Sequence, residues 1–312
     1  MNKFVVSSSP HVHTPRNTQQ VMLDVLIAML PAAAAGTYIF GFRALAVMAV
    51  CVLTAVVAEF LFNLIVKKEQ TVFDLSAAVT GLILALNLHA NAPLWQCMVG
   101  SVFAIIVVKC LFGGLGCNFA NPAATARIFL LVSFSKTLGG GVAPLVSPNP
   151  DLVSGATPLE VIKNGGELPP ILDMLFGFRG GAIGETCIAA IAIGFIYLAV
   201  KKIIHFETPL IMVATVFLLS LIVENDLTVA TYQMLSGGLV FAAVFMATDY
   251  VTTPITRAGK MIFAFGCGLI TFLIRYFGAY PEGVSFSILL MNILSPYIEK
   301  WTAKTPLGGK KK

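Results

Sequence analysis

Long apolar runs recur along the whole length of this 312-residue chain. Hydrophobic residues make up 57% of it and charged residues 11%, whereas about a quarter of the residues of a soluble domain are charged. Because a helix needs about 20 apolar residues to cross the hydrocarbon of a bilayer, the pattern predicts an all-α polytopic membrane protein. The polar first 20 residues lack the features of a cleavable signal peptide and are expected to stay in the cytoplasm.

About ten transmembrane or part-spanning helices are predicted. The third and the fifth are short enough to be broken or re-entrant. The segments are residues 21–39, 44–66, 73–88, 94–112, 121–134, 183–204, 209–224, 229–248, 259–277 and 284–300. This division predicts a cytoplasmic leader, a first membrane repeat, an outward-facing loop, a second membrane repeat and a basic cytoplasmic tail, at residues 1–20, 21–134, 135–182, 183–300 and 301–312 respectively.

A weak internal repeat supports the division into halves. The run TGLILA at residues 80–85 recurs as GGLVFA at residues 237–242, and a polar break and a further apolar span follow each copy. Glycine-rich interruptions at corresponding places are typical of transporter folds built from two halves. Since each half has five spans, an odd number, the two repeats are expected to be inverted relative to each other.

Basic residues predict the orientation in the membrane. With the N-terminus inside, fifteen of the twenty lysines and arginines fall on the inner side, which agrees with the positive-inside rule. The net charge of +5 is therefore interpreted as an orientation signal, and no nucleic-acid partner is expected. The five residues on the outer side are Arg43, Lys136, Lys163, Arg179 and Arg275.

A short motif in the long polar loop carries the strongest functional signal. Asp151 is followed after two residues by Ser154-Gly155-Ala156-Thr157 and then by Pro158. The small residues before Thr157 are expected to leave its hydroxyl open to a modifying enzyme. Residues 158–164 are predicted to form a short helix directly after the threonine, and residues 170–176 a second turn. A loop as long as residues 135–182 is usually functional or disordered.

The motif resembles the site at which a flavin transferase esterifies FMN to threonine in two related respiratory complexes, the sodium-pumping quinone reductase and the Rnf complex. The whole chain is similar to the RnfD/NqrB family of membrane proteins from these complexes, and most of all to its RnfD branch. The resemblance implies FMN bound covalently through phosphate to Thr157, with Asp151, Ser154, Gly155 and Ala156 as the recognition sequence. It further implies a urea-transporter-like inverted-repeat fold and electron transfer between ferredoxin and NAD, coupled to Na⁺ or H⁺ transport.

The same resemblance implies partners and a further cofactor. The partners are the other components of the Rnf complex in the cytoplasmic membrane, including the exterior-facing flavin protein RnfG, and the flavin transferase. A second flavin, riboflavin or FMN, held between the two halves without a covalent bond, is also compatible with the family. No complete active site is expected on this chain alone, and the sequence shows no catalytic or metal-binding motif.

Three further features are candidates for function. Asn121 can cap a helix that begins at Pro122, and such a helix start at membrane depth offers N–H groups to a flavin or an anion. A packed helix start is the competing interpretation.

Asp24 and Glu59 are carboxylates inside predicted spans and are candidates for an ion pathway. Buried or interfacial carboxylates without transport roles remain the alternative.

Two other functions fit parts of the sequence. NqrB, the corresponding membrane protein of the Na⁺-pumping NADH:quinone reductase, is the nearest alternative, but that relative carries a longer region before its first span. A urea- or ammonium-type solute channel would share the inverted repeat and the broken helices, so the fold alone does not decide between the classes. The motif at Thr157 favours the flavoprotein, because a channel has no use for a flavin.

Overall fold

The structure of the protein is a computed structural model that describes residues 17–139, 141–146, 157–164, 168–278 and 282–303. Apart from one isolated backbone bridge between Val142 and Gly181, these residues form helices and connecting turns. The all-α prediction is therefore confirmed for the described part of the chain. The recognition residues Asp151, Ser154, Gly155 and Ala156 lie outside the described residues, as do most of the leader and the basic tail.

Each of the ten predicted segments contains at least one helix. The helices are α1 (Thr18–Phe40), α2 (Phe42–Val66), α3 (Ser76–Leu86), α4 (Leu94–Val102), α5 (Pro122–Ser133), α6 (Ser135–Leu138), α7 (Pro158–Asn164), α8 (Ile171–Phe176), α9 (Ile188–Val200), α10 (Glu207–Glu224), α11 (Leu227–Leu235), α12 (Leu239–Phe245), α13 (Arg257–Phe277) and α14 (Val284–Thr302). A 3₁₀ turn at Val72–Asp74 precedes α3, and α4 continues as a π-helix over Phe103–Cys110.

Four of the described helices, α1, α2, α10 and α13, are long and apolar enough to cross a membrane. The pair α11 and α12 makes a fifth candidate, bent by 49° at its break. Shorter apolar helices, including α3, α5 and α9, pack among them. The structure thus supports a multi-pass membrane protein with four or five spanning helices among the described residues, which is fewer than the ten spans and part-spans of the hydropathy pattern.

Close helix packing depends on glycines that let backbones approach each other. A methyl group at Gly194 of α9 would overlap the carbonyl of Ala28 in α1. At Gly81 of α3, the added carbon would lie 2.8 Å from the Cys51 carbonyl oxygen in α2. Membrane helices use small residues in this way, because lipid supplies no hydrophobic drive for association. The buried core accordingly forms between helices of both halves, including α1, α2, α3, α9, α10, α12, α13 and α14.

The break between α11 and α12 has a specific backbone cause. Gly237 and Gly238 both have positive φ angles, of 62° and 56°, which end one helix and start the next in a new direction. Leu159 of the short helix α7 packs onto Gly237, so that a side chain at this glycine would overlap the leucine. The predicted outer loop is therefore attached to the bundle at the broken span.

Candidate functional site

Thr157 is the N-terminal flanking residue of α7, whose bounds match the predicted helix. Its backbone N–H donates to Glu160 Oε2 at 2.8 Å, and the Glu160 N–H donates to Thr157 Oγ1 at 3.4 Å. The pair forms a reciprocal capping box, which explains why the helix begins at this point. Thr157 is only 4% exposed. The expectation of an open hydroxyl was wrong, because α7 packs against the bundle and turns this residue inward.

Thr157 lines a cavity of about 280 Å³, which we call the Thr157 cavity. Its volume is near the lower end of the range for small-molecule sites. The lining is formed by residues 87–89 after α3, by α5 from Arg127 onward, by α6 and by the start of α7, together with Ala182 and Glu282. Besides the threonine, the polar residues of the described lining are Asn87, His89, Arg127, Ser135, Glu160 and Glu282.

Arg127 supplies the positive charge of this cavity. It forms an ion pair with Glu282 and donates to Asn87 Oδ1 at 3.0 Å. The charge pattern assigned Arg127 to the inner side, whereas the structure places it at the same end as Thr157. The reason is that Arg127 lies in the middle of α5, whose second half lines the Thr157 cavity. A charge inside an apolar segment was the signal that could have identified it as a functional residue.

His89 is a second lining residue that sequence reasoning missed. Its side chain is buried, and Nε2 lies 2.9 Å from the Thr137 carbonyl oxygen. Because a carbonyl only accepts, Nε2 carries the proton in this contact. Burial lowers the pKa of His89, which favours the neutral ring. Its Nδ1 is buried without a partner among the described residues and is therefore available as an acceptor.

A second, smaller cavity of about 90 Å³ lies at the other end of α3, and we call it the inner cavity. Ser76 at the start of α3 lines the inner cavity, whereas Asn87 after the end of α3 lines the Thr157 cavity. The inner cavity is mostly apolar. Its polar or charged lining includes Ser76, Lys109, Asn118, Asn121, Thr248 and Asp249.

Asn121 and Pro122 lie together in the wall of the inner cavity. Asn121 Oδ1 accepts hydrogen bonds from the N–H groups of Ala123 and Ala124, each at 3.1 Å, and Pro122 occupies the first helical position. The predicted cap is confirmed. Since Asn121 itself satisfies these two N–H groups, a ligand in the inner cavity would meet the asparagine side chain and the apolar wall first.

Met246 lies between the Thr157 cavity and the inner cavity. Asn87 Nδ2 lies 3.4 Å from Met246 Sδ, and Asn121 Nδ2 lies 3.4 Å from the Met246 carbonyl oxygen. Arg127 contacts Asn87 on one side, and the Asn121 N–H donates to Asn292 Oδ1 at 3.0 Å on the other. A series of polar contacts therefore joins the wall of one cavity to the wall of the other.

Glu59 belongs to a buried polar cluster beside the inner cavity. Its Oε1 forms an ion pair with Lys109 Nζ at 2.8 Å, and both side chains are 2% exposed. Thr71 donates to the same oxygen at 2.9 Å, and Lys109 donates to Ser76 Oγ at 2.6 Å. Glu59 Oε2 has no partner among the described residues. Lys109 reaches this position from the π-helix, a form that often marks functional sites.

Asp24 occupies a different environment. Its Oδ1 accepts a hydrogen bond from the Tyr197 hydroxyl at 2.7 Å and forms a looser ion pair with Lys201 at 3.5 Å. The Asp24 side chain is 19% exposed and does not contribute to the described lining of either cavity. Neither carboxylate is in the described lining of a cavity, but Glu59 is paired with Lys109, which lines the inner cavity, whereas Asp24 is paired outside both linings.

These features define a class: a multi-pass helical membrane protein with a cavity at each end of a short buried helix, the one lined by Thr157 being polar and the other mostly apolar. Residues 5–308 match the family described as NQR2, RnfD, RnfE. Because this match covers nearly the whole chain, the protein belongs to that family.

Similar proteins of known name support the same assignment. The chain is 47% identical to the D subunit of the Na⁺-translocating ferredoxin:NAD⁺ oxidoreductase complex of Acetobacterium woodii, over 98% of this chain and 95% of the relative. It is 39% identical to the D subunit of the proton-translocating ferredoxin:NAD⁺ oxidoreductase complex of Clostridium ljungdahlii, over 98% and 97% of the two chains. Identity to the D subunit of the ion-translocating oxidoreductase complex of Mannheimia succiniciproducens is 34%, over 98% of each chain.

Proposed function

We propose that this chain is the RnfD-type membrane electron-transfer component of an ion-translocating ferredoxin:NAD⁺ oxidoreductase complex and carries FMN esterified through its phosphate to Thr157. The observation that carries the proposal is that the threonine of the family motif faces a cavity that also contains Arg127. The names and the near-complete coverage of the relatives favour RnfD over NqrB of the quinone reductase. A solute channel would leave the motif without a role.

The lining residues fit a phosphate-linked flavin. An ester at Thr157 Oγ1 would place the FMN phosphate at the cavity wall, where the cation Arg127 can bind it. The unpartnered Nδ1 of His89 can accept from an N–H of a ring system. The leucines at positions 88, 130, 131 and 138 supply an apolar wall. When bound, FMN supplies one- or two-electron transfer, while the protein sets its position and potential.

We further propose two inverted five-helix repeats of the urea-transporter type, with both termini cytoplasmic and Thr157 on the outer side. Support comes from the third segment of each half, which is interrupted in both cases: the 3₁₀ turn before α3 and the break between α11 and α12. Thr157 and the inner cavity lie at opposite ends of α3. The positive-inside pattern supports the stated orientation.

A second, non-covalent flavin is proposed beside Asn121 and Pro122, where the inner cavity of about 90 Å³ would have to widen, because small-molecule sites span about 300 to 1,000 Å³. Glu59 is the stronger of the two ion-pathway candidates, because its free oxygen lies in a buried cluster beside this cavity. Asp24 would serve nearer the surface. The names of the relatives include both Na⁺ and proton translocation, so the coupling ion is left as Na⁺ or H⁺. The proposed partners are the other components of the complex, including RnfG, and the flavin transferase.

Flavin fluorescence of the denatured chain tests the covalent attachment. The complex is produced with the transferase, and its separated chains are viewed under ultraviolet light on a denaturing gel. We expect a fluorescent band for the native chain and for Thr231→Val, a threonine outside both cavities, and a dark band for Thr157→Val. Fluorescence retained in Thr157→Val would place the ester elsewhere.

The same preparations report on the second flavin. Acid extraction before electrophoresis releases only flavin that is not covalently bound. We expect the Thr157→Val complex to keep this extractable fraction, because the inner cavity is separate from the threonine. A dark band for the native chain would remove the covalent flavin from the proposal.

A further inference from the structure

Glu185 is a buried carboxylate in the non-helical segment between α8 and α9. It is 4% exposed, and its carboxylate lies between two glycines. A Cβ at Gly181 would lie 2.5 Å from Glu185 Oε1, and one at Gly238 would lie 3.1 Å from Oε2. Oε2 has no hydrogen-bond partner among the described residues. A buried carboxylate oxygen without a partner is costly, so that its presence calls for an explanation.

The cations around Glu185 are bound to backbone carbonyls instead of to its carboxylate. Arg179 donates to the carbonyl oxygens of Glu185 and Leu235, each at 2.9 Å. Arg275 donates to the carbonyl oxygens of Ser236 and Gly237, at 2.9 and 3.1 Å. Both guanidinium groups thereby hold the end of α11 and the break after it. Glu185 lies next to this charged region, with one oxygen still free.

The same region is in contact with the Thr157 cavity. Ala182 and Glu282 line the cavity, and the Glu185 N–H donates to the Ala182 carbonyl oxygen at 3.3 Å. On the other side, Leu159, two residues after the threonine, packs onto Gly237 at the break. Glu185 is therefore one layer of residues behind the wall of the Thr157 cavity.

Charge balance in the Thr157 cavity creates a need for a proton. The charged residues of its described lining are Arg127, Glu160 and Glu282, which sum to one negative charge when all are ionised. A phosphoester at Thr157 adds negative charge, and each electron that enters the bound group adds one more. Glu282 is paired with Arg127, and Glu160 accepts the hydrogen bond of Thr157. Glu185 is a nearby buried carboxylate whose Oε2 has no partner among the described residues.

We propose that Glu185 binds a proton when an electron enters the group held at Thr157 and releases it when the electron leaves. The inference rests on the proposed function. In the forward step, ferredoxin is the ultimate source of the electron, water at the Thr157 end of the protein supplies the proton, and an O–H bond forms at Glu185 Oε2. In the reverse step, that bond breaks as the electron passes on. The sum of charges near the cavity then stays unchanged.

The electrostatics of the site suit this exchange at neutral pH. Burial raises the pKa of Glu185 to about 7, with the charge of Glu282 acting in the same direction, while Arg179 and Arg127 oppose the shift. Arg275 is the remaining charged neighbour. With a pKa near neutrality, a modest change in the local potential is enough to move the group from ionised to protonated.

Proton uptake by the isolated complex tests the proposal. Flavin attachment is first established by in-gel fluorescence. The flavin at Thr157 is then reduced at pH values between about 6 and about 8, and the protons taken up are counted with a pH-indicating dye. We expect Glu185→Gln to take up fewer protons per flavin than the native complex near pH 7, and its midpoint potential to depend less steeply on pH. Glu207→Gln is the control, because Glu207 is paired with Arg257 outside both cavities.

The possible outcomes separate the two claims. A fluorescent band with equal proton uptake in Glu185→Gln and the native complex would overturn the role of Glu185 alone. A dark native band would remove the covalent flavin from the proposed function and would overturn this inference with it. If Glu185→Gln fails to assemble, the native complex is measured by redox difference infrared spectroscopy. A protonated carboxylic C=O band that appears on reduction supports the proposal, and a spectrum without such a band overturns it.

Discussion

The ion pair between Glu59 and Lys109 shows what single buried residues contribute to this protein. Each side chain is 2% exposed, so both charges have left water. The attraction between them offsets part of the cost of burial, and the hydroxyls of Thr71 and Ser76 offset more. Removal of one partner leaves the other charge buried and unpaired, which is the more costly state.

We therefore expect Lys109→Met and Glu59→Gln each to destabilise the protein, Lys109→Met by about 3 to 5 kcal/mol because it strands the Glu59 carboxylate. The double variant Glu59→Gln/Lys109→Met removes both charges and is expected to lose less than the sum of the single changes. Thermal unfolding of the purified complex in detergent measures these differences. Simple additivity of the two changes would show that the pair is not coupled. Lys201→Met, at an exposed ion pair, is the control and is expected to have little effect.

Individual residues differ in how far sequence could identify them. Thr157 and Glu59 stand out by motif and by the rarity of carboxylates in apolar segments, and Asn121 by its place before a proline. Arg127 carries a similar signal, a charge inside an apolar segment, but its partner could not be predicted, and neither could that of His89, because both partners are distant in the chain. Glu282, the partner of Arg127, is 155 positions away in sequence. Only the packing of α5 against the second half brings the two together.

At the scale of elements, the break between α11 and α12 connects the short helix α7 to the membrane helices. Gly237 has a φ of 62°, and a Cβ added there would overlap Leu159. Gly114 has a φ of 103°, and a Cβ added there would meet open space. Both positions disfavour a side chain through their backbone angle. They differ in crowding, which allows the packing contribution to be measured separately.

We expect Gly237→Ala to displace α7, with a loss of stability of about 1 to 3 kcal/mol. Because an undocked α7 leaves an ester at Thr157 open to hydrolysis, we expect flavin fluorescence of the denatured chain to fall severalfold. Gly114→Ala is the matched control, with backbone strain but no crowding, and is expected to retain the fluorescence. Equal fluorescence in the two variants would mean that contact with the break does not protect the ester. The comparison is made at equal amounts of purified chain.

Helix bounds were predicted closely where local signals exist. The predicted helix over 158–164 agrees with Pro158–Asn164, since threonine, proline and Glu160 together define its start. The span predicted over 229–248 is instead divided at residues 236–238, because two successive glycines with positive φ cannot be distinguished by hydropathy from flexible helix positions. The π-helix at Phe103–Cys110 was not predicted either, since its apolar composition is that of an ordinary span.

For the whole molecule, the decisive question is which end faces the cytoplasm. Of the six cysteines, Cys117 is exposed, and it lies in the turn before α5, next to Asn118 of the inner cavity. Lys136, in α6 beside the Thr157 cavity, is exposed at the other end of α5. One native residue and one substitution can therefore mark the two sides of the membrane.

We expect a membrane-impermeant maleimide to label Cys117 in inverted vesicles and not in intact cells. The opposite result is expected for Lys136→Cys in a Cys117→Ser background. Mass spectrometry of the labelled chain gives the extent of reaction at each position. Labelling of Cys117 from the outside would reverse the proposed orientation and place Thr157 in the cytoplasm.

The class of the molecule followed from hydropathy and charge, whereas the number of full spans did not. Four described helices are each long and apolar enough to cross a membrane, and most of the remaining predicted segments are shorter or interrupted. Ser76–Leu86, for example, is buried on nearly all sides, so that protein and not lipid surrounds it. Hydropathy measures apolar character and cannot distinguish a helix that crosses lipid from one enclosed by its neighbours.

The burial of Thr157 has a consequence for biogenesis. A hydroxyl that is enclosed in the wall of its own protein cannot simultaneously occupy the active centre of a transferase. If FMN is attached at this residue, esterification and the final docking of α7 exclude each other in time. Maturation then has an order: the cofactor arrives while the segment is still away from the bundle, and docking afterwards shields the finished ester from hydrolysis.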